Sequence, residues 1–226
     1  MKILKSDLIK EFENLKKENP NTSHIILNGK GRFMLSTPHS VEQTREDKIK
    51  SAEPETALIA LYFNKFYNVP CIIKLHNIND DANYDLSCSY KEDIANYIKT
   101  HDIKFVADLH QMASKRIQNI CFGTGGEDNI NLLNQAPLLK NIIKCFEQLN
   151  EVYVNEPFKA SFDGTMAKYI SSKLDTPAVQ IEINSRLISD YCNSTIIDFE
   201  KVLISIKNLM DLINEKEKIN ENPISK

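Results

Sequence analysis

The sequence predicts a three-layer α/β/α domain built on a mixed, largely parallel central sheet. Short apolar runs rich in β-branched residues alternate with amphipathic helical stretches along almost the whole chain. Four residues able to carry chemistry, His39, His110, Glu182 and Asn184, stand at or near the ends of such runs, where open parallel sheets bind their ligands. With 226 residues, 42% apolar and 26% charged, the chain has the composition of an ordinary globular protein and enough length for a substantial core.

From Ser6 to Lys17, Leu8, Ile9, Phe12 and Leu15 recur at helical spacing. The runs His24–Leu27 and Phe33–Leu35 read as strands. Between them Asn28-Gly29-Lys30-Gly31 reads as a hairpin turn, because Asn and Gly accept positive φ. The polar stretch Ser40–Ser51 reads as a loop. Pro54 then occupies a first helical turn, where its missing N–H costs nothing, and Ala57–Tyr67 continue an apolar helix.

Pro70–Leu75 is expected as a buried strand, Asn77–Ser89 as a long polar loop, Tyr90–Thr100 as a helix and Lys104–Leu109 as a strand. Gln111–Asn129, with Gly123-Thr124-Gly125-Gly126 at its middle, reads as an irregular loop long enough to be functional. A helix over Ala136–Asn150, a short strand Val152–Val154, a helix Met166–Lys173 and a strand Ala178–Ile183 follow. A long helix Ile196–Glu215 precedes a charged tail, 216–226, expected to fray. The chain shows no repeat, linker or low-complexity segment, so one domain over 1–226 is expected.

A net charge of −3 and a pI near 6.0 give no reason to expect a nucleic-acid partner. There is no run of about 18 apolar residues, and no apolar stretch follows Met1–Lys5, so neither a membrane nor export is expected and a cytoplasmic location is. Cys71, Cys88, Cys121, Cys145 and Cys192 form no Cys-x-x-Cys pair and read as reduced, mostly buried thiols. Of 28 basic residues only Arg32, Arg45, Arg116 and Arg186 are arginine. The last three lie close to candidate site residues, and the planar guanidinium suits a substrate carboxylate or a developing oxyanion in a way lysine does not.

His39 follows a strand and Pro38, and Glu42 stands three residues on, so both can reach one ion. Glu46 and Asp47 compete with Glu42 for that place. His110 ends a second strand with Asp108 on the same face, able to hold the ring's other nitrogen. Glu182 lies inside a third. Two histidines, a carboxylate and a further carboxylate make a hydrolytic zinc site with its general base. Glu182 has a plainer reading as an outward residue of a half-buried strand, since Gln180, Glu182 and Asn184 alternate with apolar neighbours. Arg45, Arg116 and Arg186 have one too, as surface ion pairs. Gly123, Gly125 and Gly126 are candidates for an anion cradle or simply a loop. Tyr84 is a candidate from the long loop. His24, His76 and His101 are expected to be solvated.

Pro-His-Ser (38–40), Asp-Leu-His (108–110), Phe-Gly-Thr-Gly-Gly (122–126), Phe-Asp-Gly-Thr (162–165) and Gln-Ile-Glu-Ile-Asn (180–184) occur in this order. Together they resemble the N-formylglutamate amidohydrolase family and, more distantly, the zinc carboxypeptidases, over residues 35–193. The resemblance implies a phosphorylase/hydrolase-like fold, one zinc ion, and hydrolysis of an amide in a small carboxylate-bearing N-acyl, N-formyl or peptide-like substrate. It implies His39, Glu42 and His110 as zinc ligands and Glu182 as general base. Arg45 joins Glu182 as a catalytic candidate, and Arg116, Arg186, Asn184 and Thr165 become candidates for substrate contact. Two histidines and a carboxylate also suit Fe(II), Mn or Co. The alternative is a non-catalytic protein that keeps the fold and binds a carboxylate ligand; a cysteine-dependent hydrolase is a third reading.

Overall fold

The computed structural model describes residues 5–135, 137–190 and 195–221, with side chains to residue 215; Cys192 lies outside the described residues. Helix α1 (Lys5–Glu18) is followed by strands β1 (His24–Leu27) and β2 (Phe33–Thr37), a small hairpin of β3 (Gln43–Arg45) and β4 (Lys48–Lys50), and α2 (Pro54–Tyr67). Next come β5 (Cys71–Lys74), α3 (Ser89–Thr100), β6 (Phe105–Met112), β7 (Ile120–Gly123), α4 (Glu127–Leu133) and α5 (Leu138–Lys144). The chain closes with β8 (Val152–Val154), α6 (Met166–Leu174), β9 (Ala178–Asn184), α7 (Ser185–Ile188) and α8 (Ile196–Glu221).

The main sheet has seven strands in the order β1-β5-β2-β6-β9-β7-β8. β5, β2, β6 and β9 are mutually parallel, β1 and β7 run against their neighbours, and β8 is parallel to β7. Strand alternation separates two cores. Phe33, Leu35, Phe105, Ala107, Leu109, Val179, Ile181 and Ile183 pack on the face covered by α1, α2, α5 and α8. Met34, Ile72, Val106 and Ala178 pack on the opposite face, under α3 and α6.

On that second face the strands change character along their length. Met34 gives way to Ser36, Val106 to Asp108 and His110, and Ala178 to Gln180 and Glu182, all buried. The chain leaves β2 through α2 on one face to reach β5, then returns through α3 on the other face to reach β6. Strand order therefore reverses about β2, and the crevice between the carboxyl ends of β2 and β6 is the ligand position such sheets favour.

The expected hairpin between β1 and β2 does not form. β5 inserts between them, pairing antiparallel with β1 and parallel with β2. Gly29 serves close packing instead of a turn: a Cβ there would overlap the backbone of residues 68–70. The stretch read as a loop at 40–51 contains the β3–β4 hairpin, turned by Glu46 and Asp47 at φ 50° and 59°, a pair of left-handed residues that a tight hairpin turn uses. The irregular stretch expected at 111–129 contains the end of β6, all of β7 and the start of α4. α8 runs past Glu215 to Glu221, and 222–226 lie outside the described residues. No helix among the described residues is long and apolar enough to cross a membrane.

Candidate metal centre

Three donors converge at the carboxyl ends of β2 and β6. His39 lies two residues past β2, His110 lies within β6, and Glu53 precedes Pro54 at the start of α2. The three offer ligand atoms all within 4.8 Å of one another. Glu53 sits 14 residues beyond His39, yet its N–H donates to the His39 carbonyl at 2.8 Å, because the β3–β4 hairpin returns the chain to its starting point. The following proline keeps Glu53 out of helical conformation (φ −122°, ψ 59°). The side chain is thereby aimed into the crevice instead of along the helix.

The geometry assigns the nitrogens. His39 Nδ1 faces Glu53 Oε1 at 3.2 Å and its Nε2 meets Asp81 Oδ1 at 2.9 Å. His110 Nδ1 faces Glu53 Oε2 at 3.2 Å and its Nε2 meets Asp108 Oδ2 at 2.9 Å. Each imidazole gives its Nε2 proton to a fully buried aspartate, which leaves both Nδ1 atoms pointing at one carboxylate, with the rings edge-to-face at 4.7 Å between centroids. This donor set, two Nδ1 atoms and a carboxylate with an aspartate behind each ring, fits a divalent cation.

The supporting groups are themselves held. Asp108 Oδ1 accepts from Ser36 Oγ at 2.7 Å. Asp81 Oδ2 accepts from Arg45 Nε at 2.9 Å and Nη2 at 2.8 Å, and Asp81 Oδ1 accepts from the Asn83 N–H at 2.9 Å. Burial alone would raise Glu53, but the two histidines outweigh it and bring its carboxyl down to about 2. Burial opposes the charge on His39, yet Glu53 and Asp81 hold the imidazole above its ordinary value; His110 is held well above by Asp108 and Glu53 against the same burial. The shifts share one cause, the pairing of each imidazolium with the carboxylates around it.

Glu182 sits one strand over, its Cα paired with that of His110. Burial raises its carboxyl to about 7, with His110 pulling the other way. Both glutamates, both histidines, Arg45, Asn83, Tyr84, Gln111, Arg116, Thr165 and Gln180 border one cleft of about 700 Å³. Its far wall is the segment 157–162. Arg116 lies over the Phe158 ring at 4.7 Å, and Arg45 over Tyr84 at the same distance, with Tyr84 stacked on Phe162.

His39, His110, Asp108, Glu182, Arg45, Arg116, Tyr84 and Thr165 thus belong to one neighbourhood or its walls, and three other expectations are corrected. Glu42 is exposed and Glu53 stands between the histidines in its place, because the chain turns into β3 directly after residue 42. Asn184 is fully buried and spends its amide on the carbonyls of Arg116 and Gln118 and its oxygen on the Arg186 N–H. Arg186 ties down the carbonyls of Ser114, Arg116 and Ile117 and the Asn119 side chain. Neither borders the cleft; both fix the loop that carries Arg116.

The Thr165 hydroxyl donates to backbone carbonyls of Ala160 and Phe162, which leaves it only lone pairs to offer. Gly123, Gly125 and Gly126 lie away from the cleft, with Gly125 bonded to the Lys159 carbonyl. His24, expected in solvent, is buried against Asp93 (2.9 Å) and Tyr90, and desolvation lowers its pKa. None of the four described cysteines borders the cleft, and burial raises every one of their thiols, Cys145 to about 11. That disfavours a thiolate nucleophile.

Glu53, Asp81 and Asn83 were not singled out by sequence. The signal for Glu53 is a carboxylate immediately before the helix-opening proline; for the other two it is only an Asn/Asp-rich loop after a buried strand. That loop is pinned from beneath. Lys74, fully buried, pairs with both Asp80 oxygens at 2.6 Å. Buried Lys91 donates at 2.5 Å to the carbonyls of Asp85 and Gly164, joining the loop to the far wall. Gly164 packs so tightly that a Cβ would overlap the Tyr84 carbonyl. Gly164→Ala is therefore expected to cost about 1–3 kcal/mol in urea unfolding, as overpacking does; an unchanged midpoint would show that the two loops part freely.

No family model matches the sequence, and no curated protein sequence matches it. Solved structures share its fold at low identity. A gene product of Agrobacterium tumefaciens superposes with TM-score 0.60 at 13% identity, over 86% of this chain and 96% of that one. N-formylglutamate amidohydrolase from Ralstonia eutropha gives 0.52 at 9%, over 86% and 99%. A metallo-carboxypeptidase from Pseudomonas aeruginosa gives 0.51 at 10%, over 85% and 60%. The chain therefore has the α/β fold of these structures, and within it a buried His-Glu-His group able to hold a metal.

Proposed function

We propose that the protein is a metal-dependent hydrolase that cleaves the amide bond of a small, carboxylate-bearing N-acyl amino acid (an N-formyl one included) or a peptide-like analogue. The observation that carries this reading is the convergence of His39 Nδ1, Glu53 and His110 Nδ1 in the same cleft as Glu182. The names of two proteins sharing the fold, an amidohydrolase and a metallo-carboxypeptidase, accord with it. His39, Glu53 and His110 would hold the ion, zinc by preference of the donor set.

When bound, a divalent cation supplies Lewis acidity, polarising the scissile carbonyl and acidifying a water. Glu182, bordering the same cleft as the three ligands, takes the proton of the attacking water and returns it to the leaving nitrogen. Arg45, fixed by Asp81 and stacked on Tyr84, places a rigid positive charge on the cleft wall for the developing oxyanion. Arg116, carried on the loop that Arg186 ties down, takes the substrate carboxylate. Asp81 and Asp108 hold each imidazole by Nε2, which leaves the Nδ1 atoms as the ones that would bind the ion.

The test is a panel of N-formyl, N-acetyl and dipeptide substrates with and without a terminal carboxylate. Turnover is expected to require the carboxylate, to stop after chelator dialysis and to return with zinc. Full activity in the dialysed, metal-free protein would exclude the reading.

A further inference from the structure

Glu182 does not stand alone in its strand. Its Oε1 accepts from Gln180 Nε2 at 2.8 Å; Gln180 Oε1 accepts from Asn83 Nδ2 at 3.2 Å; Asn83 Oδ1 accepts from the Met166 N–H at 2.7 Å. All three side chains are more than nine-tenths buried. Met166 opens α6, so its N–H has no partner inside the helix and can only donate. That single backbone donor fixes the direction of everything after it. Asn83 must present its oxygen to Met166 and its amide to Gln180, and Gln180 must then present its amide to Glu182. Turning either amide round would set donor against donor or acceptor against acceptor in a buried site.

We propose that Asn83 and Gln180 are positioning residues, an amide relay that holds one oxygen of Glu182 from the N-terminus of α6. It leaves Oε2, which has no hydrogen bond from the described residues, as the oxygen that exchanges the proton. Asn83 also gives its own N–H to Asp81, the carboxylate behind His39, so the same residue registers the base against the metal ligands. The catalytic part of this inference rests on Glu182 acting as base; the relay itself does not.

Asn83→Asp tests the direction. An aspartate cannot donate to Gln180, so Gln180 rotates to give it the Nε2 protons and turns its own oxygen on Glu182. kcat is expected to fall roughly ten- to a hundredfold with KM and metal content unchanged, while Asn83→Ala, which releases Gln180 without reversing it, costs less than about tenfold. A packing role gives the opposite order, since Asp is isosteric and Ala leaves a hole. In a Gln180→Ala background the Asp/Ala difference is expected to vanish; its persistence would assign the effect to the added charge and overturn the relay. A readout free of turnover is the side-chain amide resonance of Gln180, which is expected to move on Asn83→Asp and on Glu182→Gln. A resonance moved by neither, or one exchanging freely with solvent in the wild type, would also overturn it. Full turnover in Glu182→Gln would instead remove the base assignment and leave the relay to the resonance data.

Discussion

Glu182→Gln is expected to lower kcat by about 10²–10⁴-fold, the range typical of a lost general base, while metal content stays at the wild-type level. The substitution keeps the shape and the hydrogen bond from Gln180 but cannot take a proton. The pH profile follows from the same residue. Burial holds its carboxyl at about 7 in the metal-free protein, and the base works only when ionised, so kcat/KM should rise with pH through this limb. A cation in the neighbouring site favours the ionised form and moves the limb below 7. In Glu182→Gln the limb should vanish along with most of the rate. A variant that keeps both would remove Glu182 from the chemistry and leave the cleft with a cation and no base.

The second large effect is expected at Asp108. Its fully buried carboxylate holds His110 Nε2 on one oxygen and Ser36 Oγ on the other. Asp108→Ala leaves a buried, positively inclined imidazole without its main partner, and about 3–5 kcal/mol of metal-free stability should be lost. Metal affinity should fall about 10–100-fold, because the ring loses the contact that orients Nδ1. The sign with pH is definite. His110 has a folded pKa raised well above 6.5, so its contribution is full below pH 6.5 and disappears as pH rises through the folded value. The stability gap between wild type and variant should therefore be widest in mild acid and close toward alkaline pH when no metal is present. Calorimetry on dialysed protein at pH 5.5 and 8.5 reads this directly; equal melting temperatures for the two proteins at pH 5.5 would contradict it.

How much of this was legible in the sequence depended on whether a residue sat on a strand. His110, Asp108 and Glu182 were readable because alternation puts residues two apart on one face, and parallel pairing then brings neighbouring strands' ends together. The same alternation misled at Glu182 on its own, since a polar residue every second position looks like a solvent face. Here Gln180 and Glu182 border the cleft and Asn184 holds the 114–119 loop, so all three are buried. Glu53 could not be reached by spacing, because its approach to His39 depends on a hairpin, residues 43–50, whose one apolar residue is Ile49 and which shows no apolar pattern. Asp81 and Asn83 depend on Lys74, Lys91, Gly164 and Met166, through contacts made across 6 to 83 residues that leave no local periodicity. The Asn-Gly turn failed for a related reason: Gly29 is needed for close approach to residues 68–70, and β5 claims the edge of β2 that the hairpin would have used. Asn184 stood correctly at a strand end with Arg186 close by, yet their polar groups are consumed in holding the 114–119 loop.

The most direct test of the centre is elemental analysis of purified protein supplied with zinc, comparing wild type with Glu53→Gln, Glu42→Gln and His110→Ala. A centre built on His39, Glu53 and His110 gives about one metal ion per chain in wild type and in Glu42→Gln, and little or none in Glu53→Gln and His110→Ala. A wild type that takes up no metal, or a Glu53→Gln variant that keeps it while Glu42→Gln loses it, would contradict the centre described above.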